Sequence, residues 1–123
     1  MQGEITLTYF DLYGKAEAIR MLLTHSKTPF TDNRVTGDAW AAPKVGGKCA
    51  NGQVPVLEVG DRCLNQSASI LRFIGSQTGY YGSDPFDAHF ADSIVDILST
   101  VEFVCCCCAH TGIVLRAVRG CFE

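Results

Sequence analysis

The N-terminal part of the chain carries a hydrophobic pattern that changes its period twice. Residues Glu4–Phe10 alternate and are rich in Ile, Thr, Leu and Tyr, which predicts a β-strand. After a polar turn at Asp11–Gly14, apolar residues recur at helical spacing, which predicts an amphipathic helix over Lys15–Ser26. The stretch Thr28–Val35 contains Pro29 and predicts a second strand near a sheet edge. Strand, helix and strand in this order form a βαβ unit, which we expect to cross over right-handed.

The pattern continues with two more strands and a helix. Residues Gly37–Gly52 are irregular and predict a loop that contains a short, loose helix. Val54–Val59 and Arg62–Asn65 flank the Gly60-Asp61 pair, which is typical of a β-hairpin. A helix with a buried apolar stripe is then predicted from Ser67 to about Gln77. The order βαβ, loop, ββα is that of a thioredoxin-like α/β fold.

The hydrophobic pattern changes character near residue 80. Gly, Tyr, Ser and Asp dominate Thr78–Pro85 and indicate a linker. We therefore predict a thioredoxin-like domain at 1–79, a linker at 80–83, and the truncated start of an all-α domain at 84–123. After Pro85 one face of a predicted helix is acidic, and the other is apolar: Phe90, Ile94, Ile97, Leu98 and Val101. From Val104 onward the sequence shows no clear helical or strand period.

Composition narrows the class of protein. Hydrophobic residues make up 47% and charged residues 19%, a balance typical of a folded globular chain. The net charge of −3, without a Lys/Arg cluster, argues against nucleic acid and anionic membranes as partners. The N-terminus lacks the basic and apolar stretches of a secretory signal, and no uncharged apolar run reaches the roughly 18 residues of a membrane span. These features predict a cytoplasmic protein.

The seven cysteines predict reduced thiols, because no signal peptide directs the chain to an oxidising compartment. No CxxC pair lies between the first strand and the first helix, so a thioredoxin- or glutaredoxin-like reductase is disfavoured. Cys105–Cys108 and His110 are zinc-ligand types, but their spacing does not match a zinc motif, and we expect no metal. Palmitoylation, an incidental apolar run and a tail from a truncated or misread gene are the other interpretations.

Four segments, in order and at matching spacing, resemble cytosolic glutathione transferases. They are LTYFDLYGKAEAIRMLL (Leu7–Leu23), DAW (Asp38–Trp40), QVPVLEVGD (Gln53–Asp61) and NQSASILRFI (Asn65–Ile74). The resemblance covers residues 4 to about 103 and is greatest to tyrosine-type enzymes of the sigma class. It implies a detoxifying transferase with glutathione as co-substrate and a small electrophile as the second substrate.

The resemblance implies that Tyr9 is the catalytic residue. The thiolate of glutathione is the nucleophile, and its thiol has an ordinary pKa of about 8.5 against about 10 for tyrosine. The phenol therefore keeps its proton and donates a hydrogen bond to sulfur, which stabilises the charged form by about 1.5–3 kcal/mol. The alternative is a strand tyrosine that only packs. Lys15 replaces an arginine of sigma-class members; it either favours the thiolate by its charge or is a solvated lysine.

Two further segments match positions that hold glutathione. Val54-Pro55 matches the cis-proline position of the family, where the Val54 backbone pairs with the cysteinyl part of glutathione like an added strand. An ordinary trans proline is the alternative. Gln66-Ser67 matches the pair that holds the γ-glutamyl end, at a helix N-terminus that suits a carboxylate. Ser67 also suits the N-cap position, and the two roles are compatible.

The remaining implied contacts lie in and beside the irregular loop. Trp40 and Lys44 match positions that hold the glycine carboxylate, and Lys48 is a competing cation. Gln53 stands where many members carry a lysine, so it offers a hydrogen bond without a charge.

The C-terminal part of the chain separates two functions. Family members build most of the electrophile pocket from the helical domain, of which only the first helix is recognisable here. The alternative to a transferase is therefore a glutathione-binding or structural remnant without transferase activity. A homodimer is expected if the helical domain were complete, although Ser99 and Thr100 occupy the positions of an acid that members offer to their partner subunit.

Overall fold

A computed structural model describes residues 3–36 and 52–108, and for residues 101–108 it describes the backbone alone. Trp40 and Lys44 lie outside the described residues, as do the short helix predicted within the Gly37–Gly52 loop and the tail after Cys108.

Four strands form one mixed sheet. They are β1 (Ile5–Phe10), β2 (Thr31–Val35), β3 (Val56–Val59) and β4 (Arg62–Asn65), in the spatial order β2-β1-β3-β4. β2 is parallel to β1, whereas β3 is antiparallel to both of its neighbours. The edge position predicted for β2 and the β3–β4 hairpin are confirmed. The third strand begins two residues later than predicted, after Pro55.

Two helices pack on one another beside this sheet. A short 3₁₀ turn (Gly14–Ala16) leads into α1 (Glu17–His25), and α2 spans Ser67–Thr78. Lys15, predicted to begin the first helix, therefore lies in the 3₁₀ turn. The C-cap of α2 is Gly79, whose φ of 81° is the left-handed conformation that glycine adopts at helix C-termini.

The core lies between the sheet and these helices. Alternate residues of a strand face opposite sides of the sheet, so Ile5, Leu7 and Tyr9 all point to the helices. The largest fully buried side chains come from β1, β3 and both helices: Leu7, Ile19, Leu23, Leu57, Ile70 and Ile74. The apolar stripes predicted for both helices are confirmed, and the fold is the predicted thioredoxin-like α/β fold.

The chain divides into two compact units, residues 1–83 and 84–123. In the second unit, the Asp84 carboxylate accepts a hydrogen bond from the Phe86 N–H (3.0 Å) at the start of α3 (Pro85–Cys108). α3 continues to Cys108, into the stretch from Val104 for which the sequence shows no clear helical or strand period, and no glycine or proline interrupts these residues. None of the described helices is long and apolar enough to cross a membrane.

Candidate functional site

Tyr9 lies near the C-terminal end of β1 with its side chain directed into the core, 8% exposed. Its hydroxyl oxygen accepts a hydrogen bond from the Lys15 backbone N–H at 3.2 Å. Gly14 lies against the same phenol with φ at 41°, and a Cβ at this position would be 2.7 Å from the Tyr9 oxygen. The turn after β1 therefore folds back onto the phenol of Tyr9.

The contact from Lys15 leaves the phenol able to act as a donor. A tyrosine hydroxyl can both accept and donate. Here the backbone N–H uses an acceptor position, and no acceptor among the described residues takes the hydroxyl proton. A hydrogen bond received by an oxygen polarises its O–H and strengthens the bond that it donates. The arrangement is suited to donating to an external anion.

A small cleft of about 40 Å³ gathers most of the other predicted site residues. Its lining consists of Lys15, Gln53, Val54, Pro55, Gln66 and Ser67. Tyr9 does not line this cleft; it is joined to it through Lys15, whose backbone bonds the phenol and whose residue forms part of the lining.

The Val54–Pro55 peptide bond is cis. This confirms the cis-proline expected from the resemblance. Both residues precede β3, whose registered pairs with β1 and β4 begin at Val56. Val54 and Pro55 therefore lie at the end of the ladder, where they form part of the cleft.

The N-terminus of α2 forms the opposite part of the lining. The expectation that Ser67 is the N-cap was wrong, because Gln66 is the cap and its carbonyl accepts the first helical bond, from the Ile70 N–H at 2.9 Å. The Gln66 side chain makes no cap hydrogen bond to α2. Gln66 has φ 68° and ψ 111°, a conformation that costs a non-glycine residue about 1–3 kcal/mol and is found mostly at functional sites.

Comparison with known proteins agrees with this geometry. The profile of the family "Glutathione S-transferase, N-terminal domain" matches residues 5–76, more than half of the chain. The chain belongs to the glutathione S-transferase family. Its N-terminal unit is the family's thioredoxin-like domain, and the matched residues include Tyr9 and the whole lining of the cleft.

Individual relatives match over the same region. Glutathione S-transferase 1 of Ascaris suum is 41% identical over 90 residues, which are 73% of this chain and 43% of the relative. Hematopoietic prostaglandin D synthase of Gallus gallus is 37% identical over 92 residues, 75% of this chain and 45% of the relative. The crystal structure of a monomeric glutathione S-transferase from Necator americanus superposes with a TM-score of 0.73 at 38% identity, covering 80% of this chain and 47% of that one. The chain thus spans less than half the length of these relatives.

Arg20 is a component of this transferase domain that sequence reasoning missed. It is 6% exposed, and its guanidinium donates to the Leu12 carbonyl (2.9 Å), to Glu17 (3.1 Å) and to Asp32 (3.1 Å). Its Cζ lies 5.9 Å from the centre of the Tyr9 ring, within the range of a cation–π contact. A buried charge is tolerated only when it is paired, and Arg20 meets this condition.

Asp32 links this buried arginine to an exposed one. Arg34 donates to Asp32 and to Asp11, both at 2.8 Å. Burial acts to raise the pKa of Asp32, but the hydrogen bonds from Arg34 and Arg20 outweigh it and hold the pKa below the ordinary value. The bonds to Asp11 and Asp32 in turn raise the pKa of Arg34.

Two signals in the sequence pointed toward Arg20 without identifying it. Glu17 lies three positions earlier, which allows a pair on one helix face. Arg20 also follows Ile19 directly and precedes Leu23 by three positions, so it borders the buried stripe. Its partners on the turn after β1 and on β2 are tertiary contacts, which helical spacing cannot reveal.

Proposed function

We propose that the cleft binds glutathione and that Tyr9 stabilises its thiolate for transfer to a small electrophile. The observation that carries this proposal is the convergence of Lys15, Val54, Gln66 and their neighbours on one cleft, beside a phenol that already accepts a backbone hydrogen bond. Tyrosine-type chemistry of the sigma class is the finer form of the proposal, and it rests on the resemblance of Leu7–Leu23.

The roles at the cleft follow from its chemistry. The N-terminus of α2, which the side chain of the strained Gln66 does not cap, offers N–H groups and a positive dipole end to the γ-glutamyl carboxylate. The Val54 backbone is proposed to pair with the cysteinyl part, and Gln53 to add a neutral hydrogen bond. Lys15 adds a positive charge to the lining, which favours an anionic ligand.

Two predicted contacts to the glycine carboxylate remain proposals from the resemblance. Trp40 would donate its indole N–H and Lys44 its ammonium group. Both lie outside the described residues, so they add nothing to the geometry above.

The test of thiolate stabilisation is Tyr9→Phe. Removing a hydrogen bond to a charged acceptor costs about 1.5–3 kcal/mol, so conjugation of an aryl halide should slow by about 10- to 100-fold. The pKa of glutathione bound to this variant should rise by about one to two units for the same reason. The thiolate absorbance of the complex, titrated against pH, measures that change directly.

Tyr13→Phe is the matched control. It removes the same hydroxyl from a side chain that is 75% exposed on the turn after β1. We expect wild-type turnover from this variant. Equal losses of turnover in Tyr9→Phe and Tyr13→Phe would contradict the role of Tyr9.

Retention on immobilised glutathione separates the candidate functions. A folded chain that is retained but shows no turnover would support a glutathione-binding domain without transferase activity. A folded chain that is not retained would contradict glutathione binding altogether.

The second substrate and the assembly are proposals for the whole protein. One relative is named as a prostaglandin D synthase and others as transferases, so the matched region does not select the electrophile. A homodimer is our proposal from the family resemblance, whereas the Necator americanus relative is described as monomeric. Sedimentation of the purified chain measures whether it is a monomer or a homodimer.

A further inference from the structure

One buried guanidinium binds the backbone carbonyls of the turn between β1 and α1. Arg20 donates to the Leu12 carbonyl at 2.9 Å and makes longer contacts, 3.5 Å each, with the carbonyls of Phe10 and Tyr13. Three carbonyl oxygens of one short segment thus converge on a single side chain. A carbonyl oxygen that faces the protein interior needs such a donor, because water cannot serve it there.

The same guanidinium is fixed from its other side. Glu17 on α1 and Asp32 on β2 each bond it at 3.1 Å, and Arg34 holds Asp32 in turn. Arg20 is therefore not free to adjust to the turn. Instead, the turn must follow the position that α1 and β2 give to Arg20.

The turn leads directly into the contacts with Tyr9. One residue after Tyr13, Gly14 leaves no room for a Cβ beside the phenol, and the next residue, Lys15, donates its N–H to the hydroxyl oxygen. We infer that Arg20 is a positioning residue, whose guanidinium sets the turn so that the Lys15 N–H meets the Tyr9 oxygen. The catalytic consequence of this inference rests on the proposed function, whereas the contact itself does not.

The inference depends on the shape of the arginine side chain and not only on its charge. A guanidinium presents five N–H donors in a rigid, planar fork, and an ammonium group is a point charge with three rotatable donors. Arg20→Lys keeps the positive charge between Glu17 and Asp32 but cannot serve both carboxylates and the carbonyls of the turn. A role in charge balance alone predicts that lysine rescues the site, and a positioning role predicts that it does not.

The experiment compares Arg20→Lys with Arg34→Lys, the same substitution at the other arginine bonded to Asp32. In the described residues Arg34 bonds only carboxylates, so it holds no carbonyl of the turn. Hydrogen exchange of the Lys15 amide, followed by NMR without glutathione, should accelerate by about tenfold or more in Arg20→Lys. In Arg34→Lys it should stay within about twofold of wild type. Unchanged exchange in folded Arg20→Lys would overturn the inference.

The second measurement compares the glutathione complexes and the conjugation kinetics of wild type and Arg20→Lys. In Arg20→Lys the pKa of the bound thiol should rise, and kcat should fall by about tenfold with a smaller change in KM, because the donor to the thiolate is misplaced. A merely structural arginine would lower Tm and leave the pH profile in place, which would also contradict the inference. If the Lys15 amide exchanges faster in Arg20→Lys but the unaltered chain binds no glutathione, the positioning role is supported and the proposed function is contradicted.

If the Arg20→Lys variant does not fold, an exchange measurement on the unaltered chain tests the inference instead. If this guanidinium holds the turn, the Lys15 amide and the Arg20 Nη1 proton that bonds the Leu12 carbonyl become exchangeable in the same opening event. Their exchange rates should then rise in parallel as urea is added below the unfolding transition. Exchange of the Lys15 amide that proceeds independently of the Arg20 proton would overturn the inference.

Discussion

The proposed role of Tyr9 as a hydrogen-bond donor requires that its phenol stays in one place. Three neighbours hold it at the scale of single residues: the core beneath its ring, the Lys15 N–H on its oxygen, and Gly14 against its edge. Two constraints favour glycine at position 14. Its φ of 41° is left-handed, and a Cβ would lie 2.7 Å from both the Tyr9 oxygen and Leu12 Cδ1.

Gly14→Ala therefore tests the position of the phenol. Left-handed backbone costs alanine about 1–2 kcal/mol, and the added methyl must also displace the Tyr9 hydroxyl. We expect a loss of stability of that size together with a fall of about tenfold or more in kcat/KM for conjugation. Urea unfolding and initial-rate measurements give the two quantities.

Gly79→Ala is the control for backbone strain alone. Gly79 has φ at 81°, but nothing lies within 4 Å of where its Cβ would be. This variant should lose similar stability and keep its activity. If both variants lost activity equally, strain and not crowding of Tyr9 would be the cause.

At the scale of elements, ion pairs join the end of β1, α1 and β2. Arg20 on α1 and Arg34 on β2 share Asp32, and Arg34 continues to Asp11 just after β1. Exposed pairs of this kind contribute little to stability, but the Asp32–Arg20 pair includes a side chain that is only 7% exposed. Loss of Asp32 would leave this buried charge with Glu17 as its remaining carboxylate partner.

Asp32→Asn should remove the contribution of the Asp32–Arg20 ion pair to the free energy of unfolding, and this contribution depends on pH. The pKa of Asp32 is lowered by folding, so the ionised form stabilises the native state at every pH above the ordinary value of about 3.9. The free energy of unfolding of wild type should exceed that of the variant by about 1–3 kcal/mol near neutral pH. This difference should shrink as the pH falls below about 4 toward the lowered pKa of the folded state.

Urea unfolding at a series of pH values measures the difference. Asp61→Asn, in the exposed turn between β3 and β4, serves as the control for removing one acidic residue from the net charge. A difference between wild type and Asp32→Asn that stayed constant down to the acid limit would contradict the pairing.

At the scale of the whole molecule, the second unit differs from the first. The N-terminal unit has a closed apolar core, but α3 exposes Phe86, Phe90, Ile97 and Leu98 by more than half of their surface. An apolar face of this kind is a site of association. We therefore expect the chain to self-associate as its concentration rises.

Replacing Phe90 and Ile97 together by glutamine should weaken this association. The apparent mass in sedimentation should fall toward 13.3 kDa, the mass of one chain. His89→Gln with Thr100→Gln alters exposed polar positions of the same helix and should leave association unchanged. Equal behaviour of the two double variants would show that the apolar face is not the cause.

The sequence by itself determined most of the fold of the N-terminal unit. The alternation of Glu4–Phe10 and the stripes of both helices record which side of each element is buried, because burial selects apolar residues at the period of the element. The resemblance added which residues are expected at the site. Those that lie in the described part, Tyr9 excepted, line one cleft.

Tertiary structure alone decided how the site is held together. Lys15 was predicted through its side-chain charge, yet the contact with Tyr9 is made by its backbone N–H. Ser67 suited an N-cap by residue type, but the cap is Gln66 in a strained conformation. Arg20 appeared as one charge on a helix, and its carbonyl and carboxylate partners on the turn and on β2 are distant in sequence. Periodicity reports which face of an element is buried, whereas the partner of a hydrogen bond depends on where the chain returns in space.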